Sequence, residues 1–208
     1  MSYKIKVLKE EIVAIGRELY ALRLVSSRAG NLSARLDADN ILITATGTCL
    51  GALKYSDLIK ADLNKESETK IKRASSEFPL HRLIYKNFPA KVAIHCHPPL
   101  TNAYFAIYTQ LKNLTYESKF YLEKVPLVEQ KGLTMTQPKL VIGALKTSNL
   151  VVVKNHGVVC IGDNFEEALY LIEVLEESVK VAALARLFKK KVCDDLDKAL
   201  KMSLNPKK

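Results

Sequence analysis

Residues 91–97, with the sequence KVAIHCH, decide how the rest of the chain is interpreted. The alternation of residue types along this segment is typical of a β-strand. Because neighbouring strand residues point to opposite faces, His95 and His97 share one face, with roughly 6.6 Å between their Cα atoms. Cys96 then points to the other face, where we expect a buried thiol instead of a third ligand. The pair is either two exposed histidines or half of a metal site.

A third histidine changes the balance between these interpretations. His156 follows the apolar run at residues 150–153 and precedes Gly157, so it lies at the end of an expected interior strand. Functional residues are expected at such a position, whereas core residues lie within the strand. Three neutral imidazoles that leave one coordination position open are typical of a catalytic metal, because substrate oxygen needs a place to bind. The three histidines together therefore favour a catalytic metal site.

Glu77 is the candidate carboxylate near these histidines. It follows Ser75 and Ser76 at the start of a helix expected over residues 77–87, where the dipole and the hydroxyls favour its ionised form. An ordinary capping glutamate has the same signature, but a polar cluster shortly before the histidine strand favours a functional role. His81 lies one helical turn later, and we expect it to orient Glu77 or to pack instead of binding the metal.

The rest of the chain alternates between helical and strand periodicity, without repeats or low-complexity segments. A chain of 208 residues that is 48% apolar is able to form one hydrophobic core. We therefore predict a single α/β domain over residues 1–208 and leave residues 109–136 unassigned. Helices are predicted at residues 3–24, 77–87, 99–108, 137–146 and 164–187, and strands at residues 32–35, 41–44, 91–97, 149–154 and 157–161.

Composition restricts the partners of the protein. The net charge of +10 fits a solvated lysine-rich surface, attraction of a phosphorylated substrate or a nucleic-acid surface. The lysines are scattered, and their one dense run, residues 189–191, is expected to close the last helix, which disfavours nucleic acid. Residues 1–24 contain no apolar block of signal-peptide or membrane-spanning length, and the four cysteines form no C-x-x-C pair. We expect a soluble cytoplasmic protein with reduced thiols that binds neither nucleic acid nor membranes.

Five short motifs occur in an order typical of one known family: GNLSAR at residues 30–35, TATG at 44–47, SSE at 75–77, HCHP at 95–98 and NHG at 155–157. Together they resemble the class II aldolase/adducin family, and within it the fuculose-phosphate aldolases. The resemblance implies a three-layer α/β/α domain with a largely antiparallel central sheet. It also implies a homotetramer with active sites at subunit contacts and one Zn²⁺ ion per subunit.

The same resemblance assigns roles to residues of this chain. His95, His97 and His156 would hold the zinc ion, and Glu77 would be the acid/base carboxylate, which also ligates the metal when substrate is absent. The substrate phosphate would lie in loops that offer small residues, hydroxyls and backbone N–H groups. The residues of these loops are Gly30, Asn31, Thr46, Gly47, Ser75 and Ser76.

The implied reaction is the reversible cleavage of a ketose 1-phosphate such as L-fuculose 1-phosphate into dihydroxyacetone phosphate and a short aldehyde such as L-lactaldehyde. A tyrosine would protonate the aldehyde oxygen, and Tyr116 is the candidate, with Tyr108 and Tyr121 as competitors in sequence. The aldehyde specificity is left open, because related aldolases use a second tyrosine near the carboxyl terminus and this chain has none after Tyr170.

Other activities share this fold and its metal ligands, so the ligands alone do not identify the reaction. Sugar-phosphate 4-epimerases and methylthioribulose-phosphate dehydratases are the alternatives within the family. The epimerases tend to carry an aspartate where this chain has Glu77, which favours an aldolase. A non-catalytic adducin-like interaction module is the alternative of another class, and it would have no need of the histidines or of Glu77.

Overall fold

The computed structural model describes residues 3–65, 73–130, 132 and 137–204, with side chains described up to residue 188. The helices are α1 (Tyr3–Ala21), α2 (Phe78–Asn87), α3 (Pro99–Ile107), α4 (Tyr116–Tyr121), α5 (Pro138–Leu145) and α6 (Phe165–Leu204). The strands are β1 (Asn31–Arg35), β2 (Asn40–Thr44), β3 (Leu58–Asp62), β4 (Val92–Cys96), β5 (Leu127–Val128), β6 (Leu150–Val153) and β7 (Gly157–Gly162). They form a seven-stranded sheet in the order β3-β2-β1-β4-β7-β6-β5.

Helices cover both faces of this sheet, which confirms the predicted α/β class. Along β4, Ile94 and Cys96 join an apolar cluster with α1, α3 and α6, whereas Ala93 joins a second cluster with α2 and α5. Cys96 is fully buried, as the strand alternation predicted. His95 has the parity of Ala93, so its ring lies on the face that α2 covers.

The sheet is mixed and not purely antiparallel. Each described neighbouring pair is antiparallel except β5 and β6, which run parallel. Strand β5 consists of Leu127 and Val128 alone and lies at the edge of the sheet, within the region that sequence periodicity left unassigned. Strand β3, at the opposite edge, was not predicted either, because the polar residues of Leu58–Asp62 weaken its strand pattern.

Two helix ends differ from the predictions. Helix α1 stops at Ala21 because Arg23 adopts a left-handed conformation with φ 58°, and the N–H of Leu24 donates to the carbonyl of Leu19. The prediction that residues 189–191 close the last helix is wrong, since α6 continues to Leu204. Lysine is a good helix former, and the sequence contains neither glycine nor proline between Gly162 and Pro206. Within the described ranges, none of the helices combines the length and the hydropathy needed to cross a membrane.

Strand β4 is the central strand of the sheet and pairs with β1 on one side and β7 on the other. Asn31 of β1 lies opposite His95, and Val159 of β7 lies opposite the same residue on the other side. Gly157, the first residue of β7, contacts the end of β4 so closely that a Cβ atom would overlap the carbonyl oxygen of Cys96. The same Cβ would lie 2.9 Å from the ring of His97. The absence of a side chain at Gly157 is therefore a condition of this strand pairing.

We predict that Gly157→Ala destabilises the protein by about 1–3 kcal/mol, because the methyl group forces β7 away from β4. Gly143→Ala is the matched control: Gly143 is an exposed residue of α5, and a Cβ there has no other atom within 4 Å. Its free energy of unfolding should rise by up to about 1 kcal/mol from helix propensity. Urea denaturation at a single protein concentration measures both changes, and equal effects of the two variants would contradict the close approach.

Candidate active site

Three imidazole rings converge at one end of the sheet. His95 is the penultimate residue of β4, His97 follows that strand, and His156 lies in the turn between β6 and β7. The ring centroids lie 4.7 Å apart for His95 and His97, and 4.9 Å apart for each of the other two pairs. One nitrogen from each ring lies within 4.8 Å of the others, as the ligands of a single metal ion require.

The turn that carries His156 depends on a left-handed residue. Asn155 has φ 58°, a conformation that asparagine tolerates better than most residues, and the N–H of His156 donates to the carbonyl of Val153 at 3.1 Å. The chain thus reverses directly from β6 into β7 with His156 at the tip. Because Gly157 follows without a side chain, the turn is able to approach the ring of His97.

The hydrogen bonds of the site define which ring nitrogen faces the centre. His95 Nδ1 lies 3.0 Å from the carbonyl oxygen of Val158, which only accepts, so Nδ1 carries the proton and Nε2 is left as a ligand atom. This Nε2 lies 2.9 Å from Nε2 of His97. Burial lowers the pKa of His97 to about 3 and also lowers the pKa of His95, so both rings are neutral near pH 7. Neutral imidazoles whose Nε2 atoms approach each other this closely fit a divalent cation, to which each ring would present a nitrogen lone pair.

Glu77 is buried directly beside the histidines. Its Oε2 lies 3.2 Å from Nε2 of His95, and its Oε1 lies 3.2 Å from Nε2 of His156. The side-chain amide of Asn31 donates to Oε2 at 2.9 Å. Burial raises the pKa of Glu77, but the electrostatic interaction with the adjacent His95 ring and the hydrogen bonds from His156 and Asn31 outweigh burial and hold the pKa well below its usual range. The carboxylate is therefore ionised and available as a base.

The sequence motifs meet in one cavity of about 160 Å³. All the predicted phosphate-binding residues line it, together with Glu77 and the three histidines. Two of its loops are held together, because the N–H of Thr46 donates to the carbonyl of Arg73 at 2.8 Å and Ala45 forms an isolated bridge with Ala74. Gly30 and Gly47 adopt left-handed conformations with φ 81° and 73°. Loops of this kind expose backbone N–H groups to an anion.

Sequence reasoning missed Arg28, which lines the same cavity and is exposed. The feature of the sequence that could have identified it is a cationic residue two positions before Gly30. A guanidinium group suits a phosphate because its planar N–H donors match the phosphate oxygens. Arg28 therefore adds a positive charge to a cavity in which the predicted phosphate-binding residues are all uncharged.

The candidate tyrosines lie outside the cavity of their own chain. Tyr116 begins α4 and is 87% exposed. Tyr108 packs against the guanidinium of Arg186, and Tyr121 contacts Tyr170 edge-on. None of the three lines the cavity, and residues 205–208 at the carboxyl terminus lie outside the described part of the chain.

The chain is similar to known enzymes over most of its length. It is 34% identical over 187 residues to the L-fuculose phosphate aldolase of Methanocaldococcus jannaschii, a match that covers 88% of this chain and 99% of the relative. It is 30% identical over 181 residues to the 3-oxo-tetronate 4-phosphate decarboxylase of Haemophilus influenzae, with coverages of 83% and 85%. The solved L-fuculose-1-phosphate aldolase of Thermus thermophilus gives a TM-score of 0.81 at 28% identity, with coverages of 88% and 96%.

The similarity includes every part of the cavity. The family model of the Class II Aldolase and Adducin N-terminal domain matches residues 10–183, which contain all the residues that line it. The five sequence motifs, the fold and the family match thus agree. The chain belongs to the class II aldolase/adducin family.

Proposed function

We propose that the protein is a metal-dependent aldolase that reversibly cleaves a ketose 1-phosphate of the L-fuculose 1-phosphate type. The products would be dihydroxyacetone phosphate and a short aldehyde of the L-lactaldehyde type. The observation that carries the proposal is the ionised carboxylate of Glu77 beside three converging imidazoles, within one cavity that also contains an anion cradle. We further propose that residues 1–208 form one cytoplasmic catalytic domain.

His95, His97 and His156 would hold the metal, and their nitrogen donors suit Zn²⁺. A divalent cation supplies Lewis acidity, which polarises a carbonyl group and stabilises negative charge on the neighbouring oxygens. The carbonyl of Val158 keeps the proton of His95 on Nδ1, away from the centre of the site.

Glu77 would transfer the proton of the reaction. In the direction of synthesis, one of its carboxylate oxygens removes a proton from the hydroxyl-bearing carbon beside the carbonyl of dihydroxyacetone phosphate, and an enediolate forms. That carbon then attacks the aldehyde, and the new alkoxide takes a proton from a hydroxyl donor, for which Tyr116 is the candidate. In cleavage the bond between the same two carbons breaks, and protonated Glu77 returns its proton to the carbon. The low pKa of the free carboxyl favours the form that starts synthesis.

The loops of the cavity would hold the phosphate and so place the reacting carbon next to Glu77. Backbone N–H groups and hydroxyls would contact its oxygens, and Arg28 would add an ionic contact. These positioning groups are Gly30, Asn31, Thr46, Gly47, Ser75 and Ser76.

We also propose that the chain assembles into the homotetramer implied by the family resemblance. Exposed apolar side chains on α3 and α6 support such contacts, among them Ile107, Leu187 and Phe188. Because the resemblance places active sites at subunit contacts, an exposed Tyr116 would be free to serve the cavity of a neighbouring subunit as the proton donor.

Decarboxylation of a phosphorylated 3-oxo acid is the second candidate, because one of the relatives carries that activity in its name. Loss of carbon dioxide from such an acid also leaves negative charge on the carbon beside a carbonyl. The same site would stabilise that charge, so the two reactions differ in the bond that breaks.

The direct test is a retro-aldol assay with the Zn²⁺-loaded protein and L-fuculose 1-phosphate, in which dihydroxyacetone phosphate release is measured by NADH oxidation with an excess of a coupling dehydrogenase that reduces it. We expect release that a chelator abolishes and that added Zn²⁺ restores. Inversion at C4 without cleavage would identify an epimerase, and loss of water a dehydratase. Carbon dioxide release from 3-oxo-tetronate 4-phosphate, without any cleavage of the ketose phosphate, would identify a decarboxylase.

Glu77→Gln should lower kcat by about 10³-fold, because the amide is not able to accept the substrate proton. Exchange of the proton on the carbon beside the carbonyl of dihydroxyacetone phosphate, followed in deuterium oxide by NMR, should be lost while the protein still binds the metal. Glu176→Gln is the control, since that carboxylate accepts hydrogen bonds from the backbone of α3 outside the cavity. Undiminished proton exchange in Glu77→Gln would remove Glu77 from this role.

Arg28→Ala should raise KM for the ketose phosphate about tenfold with little change in kcat, because an ionic contact to the phosphate acts equally on the bound substrate and the transition state. Lys60→Ala removes an exposed positive charge on β3, outside the cavity, and serves as the control for net charge. The inhibition constant of inorganic phosphate, a competitive inhibitor, should rise by a similar factor in Arg28→Ala and stay unchanged in Lys60→Ala. The same KM in both variants would exclude a contact between Arg28 and the phosphate.

A further inference from the structure

A continuous chain of buried polar side chains runs from α2 through β1 to the active-site carboxylate. The hydroxyl of Tyr85 lies 2.9 Å from Oγ of Ser33, which in turn contacts Nδ1 of His81. Nε2 of His81 contacts Oδ1 of Asn31, and Nδ2 of Asn31 lies 2.9 Å from Oε2 of Glu77. All five residues are buried, and the most exposed of them, Asn31, is 7% exposed. Because Tyr85, Ser33 and His81 are buried and do not line the cavity, their polar atoms must find hydrogen-bond partners within this series of side chains.

The ionised carboxylate at one end determines the direction of each bond. A carboxylate only accepts, so the NH₂ group of Asn31 must face Glu77 and the amide oxygen must face His81. That oxygen also only accepts, so the proton of His81 must be on Nε2. Nδ1 of the neutral ring then accepts from Ser33, whose oxygen accepts from Tyr85. Burial lowers the pKa of His81 to about 4, in agreement with a neutral ring near pH 7.

Asn31 connects this series of hydrogen bonds both to the base, Glu77, and to the loops that would bind the phosphate. One N–H of its amide is used by Glu77, and the residue also lines the cavity between the carboxylate and the loops. If the amide turned over, its oxygen would face the carboxylate oxygens, and two acceptors would oppose each other in a buried site. Catalysis therefore requires one of the two amide orientations.

We propose that His81 is a positioning residue that selects this orientation: its Nε2–H holds the oxygen of Asn31, so that the NH₂ group faces Glu77 and the substrate. The inference deepens the proposed function and rests on it. His81 acts through Asn31, because it contacts Asn31 and Ser33 and is not among the residues that line the cavity. Helix α2 thus begins directly after the base and, one turn later, carries the residue that orients the hydrogen-bond donor of that base.

Three variants separate positioning from a structural role. His81→Leu removes the donor at similar volume and should lower kcat about 10- to 100-fold, the usual effect of losing a hydrogen bond behind an active-site group. His81→Gln places an amide N–H near the position of Nε2 and should recover most of this loss. Tyr85→Phe removes only the hydroxyl at the far end of the series of hydrogen bonds. The variant protein should be less stable but keep kcat within about threefold, since the contact between His81 and Asn31 is intact.

A double-mutant cycle tests whether His81 acts through Asn31. In the Asn31→Ala background, His81→Leu should have little further effect on kcat, because the amide that it orients is gone. Additive losses would overturn the proposal, as would wild-type kcat in His81→Leu. Metal affinity should stay within about threefold in His81→Leu, His81→Gln and Tyr85→Phe, since His81 and Tyr85 lie behind Asn31 in the series of hydrogen bonds.

A spectroscopic readout distinguishes failure of this inference from failure of the proposed function. The chain has four histidines, so protein labelled with ¹⁵N at histidine gives a long-range ¹H–¹⁵N spectrum in which the ring proton of His81 is assigned by comparison with His81→Gln. We expect the proton on Nε2, and a proton on Nδ1 would overturn the proposal even if every variant were inactive. If the wild type shows the Nε2 proton but cleaves no ketose phosphate, the aldolase proposal fails and the hydrogen-bond assignment stands.

Discussion

The antiparallel pairing of β4 with β1 on one side and β7 on the other is the constraint on which the rest of the structure depends. It places Asn31 opposite His95 and brings Gly157 against the end of β4. Both faces of these strands are buried, so a slip of one residue would move His95 into the cluster that now holds Cys96. The register that preserves the core therefore also preserves the site.

The site combines groups that are costly to bury in isolation. An ionised carboxylate and two neutral imidazoles lie together, and the pKa of each of the three groups is lowered, so all of them are deprotonated near pH 7. Asn31 and His156 reduce the cost of burying Glu77 by hydrogen bonding to it. Such an arrangement is poorly suited to stability alone, and it is well suited to a proton transfer beside a cation.

The cavity receives its parts from segments that are distant in sequence. Glu77 precedes α2, His156 lies in a hairpin turn, and the loop at Thr46 is bonded to the loop at Arg73. Strands and the start of a helix position these groups. Backbone hydrogen bonds, such as that from Thr46 to Arg73, hold the loops of the cavity in place. The buried chain from Tyr85 to Asn31 extends this support to the orientation of a single amide.

The sequence alone determined the α/β class, most of the helices and strands, and the residue types of the site, because periodicity and the short motifs are local signals. It predicted the buried face of Cys96 correctly, since alternation along a strand depends only on residue parity. The weak edge strands β3 and β5, the full length of α6 and the contribution of Arg28 were decided by the tertiary structure. Helix periodicity placed His81 one turn from Glu77, but its bond to Asn31 required β1 to pack beneath α2. Contacts between separate elements depend on how the chain folds back on itself, and no local pattern encodes them.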